Sequence, residues 1–500
     1  MHLTGFLRTL GCDVHQRDLS IKVTLDIFRE YGDETTDELI ELLQNPSLPA
    51  EAKREAGKVI DEFALWIRDE IDEGFGFSRY AESICAEAPG FTEVERQIRR
   101  RGVMDKPLER RLEEALEQTK PDIVGVTCPF PGTLVGAFKI ARYIKKRHPG
   151  IKTVIGGGFV STELRDMTDE RVKKYFDVFV FDEGYVPMAG LLGVKNVEVP
   201  SFVNPDYDGI DMEEYFDVVE TDNPMHRMWS SGRWLRLVMA RGCYWRKCAF
   251  CDVRLPYIGC FKMPGAHEIV DAMESLTRSS VRPGTVPRFH FVDEAMPPSL
   301  LERVSREIIK RGFKCEWWGN IRFDSSFTPS LARQMAKAGC IAVTGGLECA
   351  DDRLLKLMNK GITLESAKRA MKSFKAAGIM VHAYLMYAFP TETEDEALDA
   401  LDYVRGLFRE GLLQSAFWHR FALTVHSPIA AEPEKFGIVA ADTPPRRRNR
   451  VFRRNEIAFY EKGAPDWDYV GRVLNLALYN FLQGRGLSKS ARRWRALVQR

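Results

Sequence analysis

The sequence predicts an α/β protein of two units in tandem. The first is a doubly wound, Rossmann-like domain with a helical insertion; the second is a full or partial β/α barrel of the TIM type, followed by a mostly helical C-terminal region. Residues 122–193 alternate short β-rich runs with helical runs, the signature of a parallel sheet covered on both faces. Residues 234–423 repeat that alternation over six strand candidates, which suits a barrel with its active site at the strand C-termini. Between them Pro205, Asp206, Gly209, Pro224 and Gly232 fall in irregular order. The expected organisation is therefore a first domain at 1–200, a linker at 201–233, a barrel at 234–430 and a C-terminal region at 431–500.

In the first unit, DIVGVTC (122–128) reads as a buried strand, and the amphipathic run LVGAFKIARYIKKRHPG (134–150) as a helix stopped by Pro149-Gly150. KTVIGGG (152–158) is the second strand, ELRDMTDERVKKYF (163–176) the second helix and DVFVFDEG (177–184) the third strand. CDVHQRDL (12–19), preceded by a short helix, is expected as one further strand of this sheet, and residues 22–120 as a charged helical insertion. In the second unit the strands are WLRLVMARG (234–242), RFHFVDEAM (288–296), CEWWGNIRFD (315–324), IAVTGGLEC (341–349), MVHAYLMYAFP (380–390) and SAFWHRFAL (415–423). Helical runs such as PSLARQMAKAG and EDEALDALDYVRGLFREG separate them.

Apolar residues make up 45% and charged residues 29%, with a net charge of +1. Bulk electrostatics gives no reason to expect nucleic acid or an anionic membrane as partner. No apolar run approaches the about 18 residues a membrane span needs, and the N-terminal segment lacks the pattern of a signal peptide. A reducing, cytoplasmic setting is expected, in which ten cysteines do not form a disulfide framework. Cys12, Cys85, Cys128, Cys315, Cys340 and Cys349 stand singly and read as small buried apolar residues.

RGCYWRKCAFCD (241–252) is different: Cys243, Cys248 and Cys251 fall within nine residues at the C-terminal end of the first barrel strand. One reading is structural zinc with Cys260 as fourth ligand, although such sites usually come as two close pairs. The other is a [4Fe–4S] cluster held by three cysteines with one iron open. An open iron can take the amine and carboxylate of the methionyl end of S-adenosylmethionine.

Over about residues 234–430 the chain resembles the radical S-adenosylmethionine enzymes. The family loop is Cys-x3-Cys-x-aromatic-Cys; here it is Cys243-YWRK-Cys248-Ala-Phe250-Cys251, one residue longer in the first spacer. The resemblance implies that the three cysteines hold the cluster and that Phe250 lies beside the adenine. FVDEAMPP (291–298) matches the second-strand motif, with Asp293 and Glu294 as candidates for the co-substrate's amino group. GGLECADDRLLKLMNKGIT (345–363) matches the fourth-strand segment of the cobalamin-associated branch, and implies that Glu348 meets the ribose or methionyl group. Arg322 would hold the co-substrate carboxylate or pair with Asp324 or Glu316. In AGIMVHAYLMYAFPTET (377–393), Ala388 and Thr391 stand where glycines are common, so a looser turn is expected. His382, His419 and His426 lack metal spacing and read as hydrogen-bonded barrel residues.

The first unit resembles the cobalamin-binding domain that precedes the barrel in that branch. The implied corrinoid contacts end the three strands: Thr127 and Cys128; Gly156, Gly157 and Gly158; Asp182, Glu183 and Gly184. Ligands of open α/β sheets bind at that edge, and glycines there would permit close approach of the ring. The Asp-x-His-x-x-Gly motif is absent, and His15 reads as a surface residue. The domain's first strand is expected to be missing, either because the chain starts upstream or because the domain is degenerate.

The resemblance implies a cobalamin-dependent radical enzyme, most simply a methyltransferase acting on an unactivated carbon. One S-adenosylmethionine would yield the 5′-deoxyadenosyl radical, and methylcobalamin would deliver a methyl group to the substrate radical. A rearrangement or cyclisation, a corrinoid-free first domain, and a zinc-bound interaction protein are the other readings. The implied partners are a reductant such as flavodoxin or ferredoxin and a small-molecule, lipid or peptide substrate. The arginine run PPRRRNRVFRR (444–454) is a docking candidate or a solvated helix start.

Overall fold

The computed structural model describes the chain except residues 77–90, 166, 168, 220, 222, 231–232, 441–454 and 500. Cys85 and the arginine run lie outside the described residues.

Strands β1 (Ile123–Thr127), β2 (Lys152–Gly156) and β3 (Val178–Phe179) form a parallel sheet in that order. The helix Leu134–Arg147 makes the crossover and buries Leu134, Val135, Phe138, Ala141 and Ile144, a one-sided stripe at helical spacing. Its last turn carries Lys145, Lys146 and Arg147, favourable at the negative end of the helix dipole.

Three expectations change here. Residues 12–18 form no strand: Arg8 Nε donates to the Val14 carbonyl at 3.0 Å and Gln16 Nε2 to those of Asp206 and Asp208 at 2.6 and 2.8 Å. The segment is tied to a neighbouring loop instead of a sheet edge. The helix expected at 163–176 lies earlier, at Gly158–Glu163, with only a 3₁₀ turn at Val172–Lys174. The Asp169 carboxylate accepts the Arg171 backbone N–H at 3.0 Å, a local turn that competes with the helix. The third strand is two residues long and ends before Asp182, whose φ is +57°.

The insertion is helical as expected, with helices at Leu19–Tyr31, Glu34–Gln44, Ala50–Glu70, Phe91–Arg99 and Asp105–Thr119. Phe28, Ile40, Leu43, Ile60 and Ile67 form much of their core. A buried ion pair, Lys53–Asp217 at 2.7 Å, joins this layer to the segment before the barrel.

Strands β4 (Leu235–Leu237), β5 (Arg288–Phe291), β6 (Glu316–Ile321), β7 (Cys340–Glu348), β8 (Met380–Tyr387) and β9 (Ser415–Arg420) form one parallel sheet in sequence order, a six-stranded partial barrel. Phe289, Phe291, Trp317, Val343, Val381, Leu385 and Trp418 face the outer helices in the main core. The residues between them face the concave side, as the two-residue strand period requires. The segment expected as a linker also closes the barrel floor. Its helix Pro224–Ser230 buries Met225 and Met228 against Trp234, Trp318 and Ala342, and Asn223 donates to the Gln414 carbonyl at 2.6 Å.

Beyond the barrel, the helix Trp467–Leu482 packs on β9. The C-terminal region also holds an antiparallel pair, β10 (Ile438–Ala440) and β11 (Phe459–Glu461). That pair joins Ala249, Phe250, Met386, Phe389 and Phe421 in a hydrophobic cluster over the barrel mouth. Among the described residues, no helix is long and apolar enough to cross a membrane.

Candidate functional site

The cysteine loop leaves β4 held from behind. Both carboxylate oxygens of Asp293 accept backbone N–H groups, those of Met239 at 2.8 Å and Ala240 at 2.6 Å. Asp293 is 2% exposed, and burial pushes its pKa up to about 7. Its carboxylate shapes the approach to the loop, while Glu294 next to it is exposed in a cleft described below.

The first spacer is tied to the neighbouring segments by its own side chains. Arg246 takes a left-handed conformation at φ +53°, Tyr244 Oη donates to Asp324 at 2.7 Å and Trp245 Nε1 to the Asn359 carbonyl at 2.8 Å. The Trp245 ring lies where a side chain at Gly361 would sit, so only glycine fits there. Arg322 pairs with neither Asp324 nor Glu316. Its guanidinium lies 4.6 Å from the Trp245 ring centroid, with Nη1 3.8 Å from Cys248 Sγ, while Glu316 pairs with Arg288 at 2.8 Å. The aromatic residues of the longer spacer take the place of a carboxylate partner.

Glu348 ends β7 at φ +59°, just past an irregularity in the pairing with β8. It is buried and accepts a hydrogen bond from Lys360 Nζ at 2.6 Å; that ammonium also lies 5.5 Å from the Phe250 ring centroid. A buried acid needs such a partner to stay charged. Lys360 lies in the same segment, GGLECADDRLLKLMNKGIT, twelve residues beyond Glu348. Burial pushes the Cys248 thiol up and Lys360 and Arg322 oppose it; burial pushes Cys251 up to about 12.

Cys260 Sγ faces the Tyr257 carbonyl at 3.4 Å. In a [4Fe–4S] cluster each of three cysteines binds a different iron and one iron stays open. Arg322 and Lys360 stand beside Cys248. Three cysteines on one loop, flanked by two cations, fit the cluster.

At the first sheet, parallel register brings Thr127 beside Gly156, so the candidate loops share one edge. Cys128 is buried in the core, with its thiol pushed up to about 11, and is not offered at that edge. Gly157 has φ +116°, and a Cβ there would stand 2.6 Å from the Cys128 carbonyl oxygen. The chain's own backbone already accounts for that glycine. Asp182 pairs with Arg165, and Glu183 lies 3.3 Å from Arg241, which stacks on Tyr185. His15 is exposed as expected, and His382 Nδ1 hydrogen-bonds Ser415 Oγ at 3.0 Å. A cleft separates the two units, with Asp182, Glu183 and Gly184 on one wall and Arg241, Tyr257 and Glu294 on the other.

Residues 237–404 match the model of the radical SAM superfamily and residues 88–192 that of the B12 binding domain. An uncharacterized methyltransferase of Pyrococcus horikoshii is 25% identical over 316 residues, 58% of this chain and 66% of that protein. An anaerobic magnesium-protoporphyrin IX monomethyl ester cyclase of Rubrivivax gelatinosus is 26% identical over 57% of this chain and 54% of its own length. The matches thus span about half to two thirds of these relatives. Two solved structures share the fold at a TM-score of 0.52. One is the cobalamin-dependent S-adenosylmethionine radical enzyme OxsB, 16% identical over 74% of this chain and 59% of its own. The other is the radical S-adenosylmethionine methyltransferase TsrM of Kitasatospora setae, 17% identical over 78% and 89%.

Proposed function

Because this chain joins a B12 binding domain to a radical SAM domain, we propose that it is a cobalamin-dependent methyltransferase acting on an unactivated carbon. The observation that carries this reading is the shared cleft: the loop after β3 and the end of the first barrel strands face each other across it, so one substrate seated there would meet both. When bound, the cluster and S-adenosylmethionine supply a carbon-centred radical and cobalamin supplies a methyl carrier; the cofactors carry the hard chemistry.

The chain's own part is to hold and orient. Cys243, Cys248 and Cys251 would hold the cluster. Glu348, set by Lys360, and Glu294 would receive the polar groups of S-adenosylmethionine, with Phe250 beside its adenine. Arg322, stacked on Trp245, supplies positive charge next to Cys248. Asp182, Glu183 and Gly184 would line the corrinoid side. A flavodoxin or ferredoxin is the proposed reductant and the cytoplasm the proposed setting.

The test is anaerobic reconstitution with iron, sulfide and hydroxocobalamin, followed by metal and corrinoid quantitation per chain. About four irons and one corrinoid are expected. Four irons without corrinoid would sink the methyltransferase reading and leave a radical enzyme. The likeness to a cyclase favours ring formation as a second reading. Product mass separates the two, because methyl transfer adds carbon and ring closure does not.

A further inference from the structure

The concave face of the barrel carries two large aromatic side chains that stay exposed among the described residues. Tyr384 on β8 and Phe417 on β9 are direct neighbours in register, and they are 39% and 57% exposed. The next position in the same row is Gly346 on β7. The space in front of that glycine is filled by the Glu348 carboxylate and the Lys360 ammonium. The aromatic pair therefore stands beside the charged pair that the proposed function assigns to S-adenosylmethionine.

Below this row the barrel closes. His382 meets Tyr384 edge-on at 4.8 Å, Trp229 of the floor helix meets His382 at 5.0 Å, and Trp318 stacks with His290 at 3.6 Å. Asn320 and Thr344 hydrogen-bond each other. Between the Arg288–Glu316 ion pair at the lower rim and Glu348 at the mouth, no concave strand position is acidic. A floor closed by Met225, Met228 and Trp234 leaves no path through for a long chain.

We infer that Tyr384 and Phe417 form the platform for the substrate, and that the substrate is a small molecule carrying a flat apolar or aromatic ring without positive charge. This rests on the proposed reading of the barrel mouth and extends it to a substrate class. Stacking on exposed rings favours flat partners over flexible chains, and burial of apolar surface supplies the attraction. The nearest carboxylate, Glu348, is already taken by Lys360, which leaves a cation no free partner there, and the closed floor admits only what fits between it and the mouth.

The test uses cluster-reconstituted protein with S-adenosylmethionine present and two probes, indole and n-hexanol, whose binding is followed by ligand-observed saturation-transfer NMR. Indole is expected to bind more tightly than hexanol. Phe417→Ala and Tyr384→Ala are each expected to weaken indole about three- to tenfold, and Tyr384→Phe to keep it. Phe417 is exposed, so its replacement leaves the fold intact, checked by unchanged iron content and melting temperature. Equal binding of the two probes, or indole binding indifferent to Phe417→Ala, overturns the inference. Failure of the chain to hold iron or cleave S-adenosylmethionine would instead overturn the function proposed above, whatever the probes do.

Discussion

The two ligand-bearing edges of this molecule are built by opposite means. At the first sheet, the glycine at φ +116° lies against the Cys128 backbone and the neighbouring carboxylates are already paired with Arg165 and Arg241. At the barrel mouth the chain puts Arg246, Glu348, Ala388 and Thr391, all non-glycine residues, at positive φ, and buries the Glu348–Lys360 ion pair. The first edge carries one such residue, Asp182 at φ +57°, among charges paired near the surface; the second gathers four of them around a buried ion pair. A surface of the first kind suits a large, rigid ligand recognised by shape, and one of the second kind suits a small charged ligand held at a fixed angle.

The largest expected effect breaks the second edge. Lys360→Met leaves a buried carboxylate unpaired and should cost about 3–5 kcal/mol in denaturant unfolding, with loss of S-adenosylmethionine binding; Lys360→Arg should recover part of both. The next tests the first edge. Gly157→Ala should cost about 2–3 kcal/mol in corrinoid-free protein, because the clash is with the chain itself. Unchanged stability there would mean that the glycine serves the ligand after all.

A pH titration sharpens the contrast further. Burial raises the Glu392 carboxyl to about 8, and Asp293 to about 7. In the folded state both keep protons that the unfolded chain releases above its ordinary carboxyl range. Their contribution is therefore full at low pH and is lost as pH rises through the folded values. Melting temperature should fall between about pH 5 and 8, and Glu392→Gln should remove on the order of 2 kcal/mol of that change. The smallest effect is Arg246→Gly, which relieves a left-handed residue at an exposed position. It should stabilise by about 0.5–1 kcal/mol in thermal melts.

Ala388 and Thr391 show where reading the sequence misleads. Non-glycine residues there predict a looser turn, yet they sit at φ +63° and +71°, in the conformation glycine would take. Phe389 N–H donates to Glu392 at 3.0 Å and Thr391 N–H to Glu461 at 2.7 Å, and those bonds hold the turn against the strain. The second acceptor could not be assigned from spacing, since Glu461 is 70 residues away.

By itself the sequence determined the parallel sheets, the six barrel strands and the three-cysteine loop, because periodicity and ligand spacing are local properties written in consecutive residues. It could not separate the exposed carboxylate at the cleft, Glu294, from its neighbour Asp293, whose oxygens are taken by the backbone of Met239 and Ala240 just past β4. Nor could it reveal that Lys360 neutralises Glu348, that Cys128 is withdrawn into a core, or that the segment before the barrel is its floor. Strand parity, burial and the partner of a charge are set by residues far along the chain, and only tertiary packing decides them.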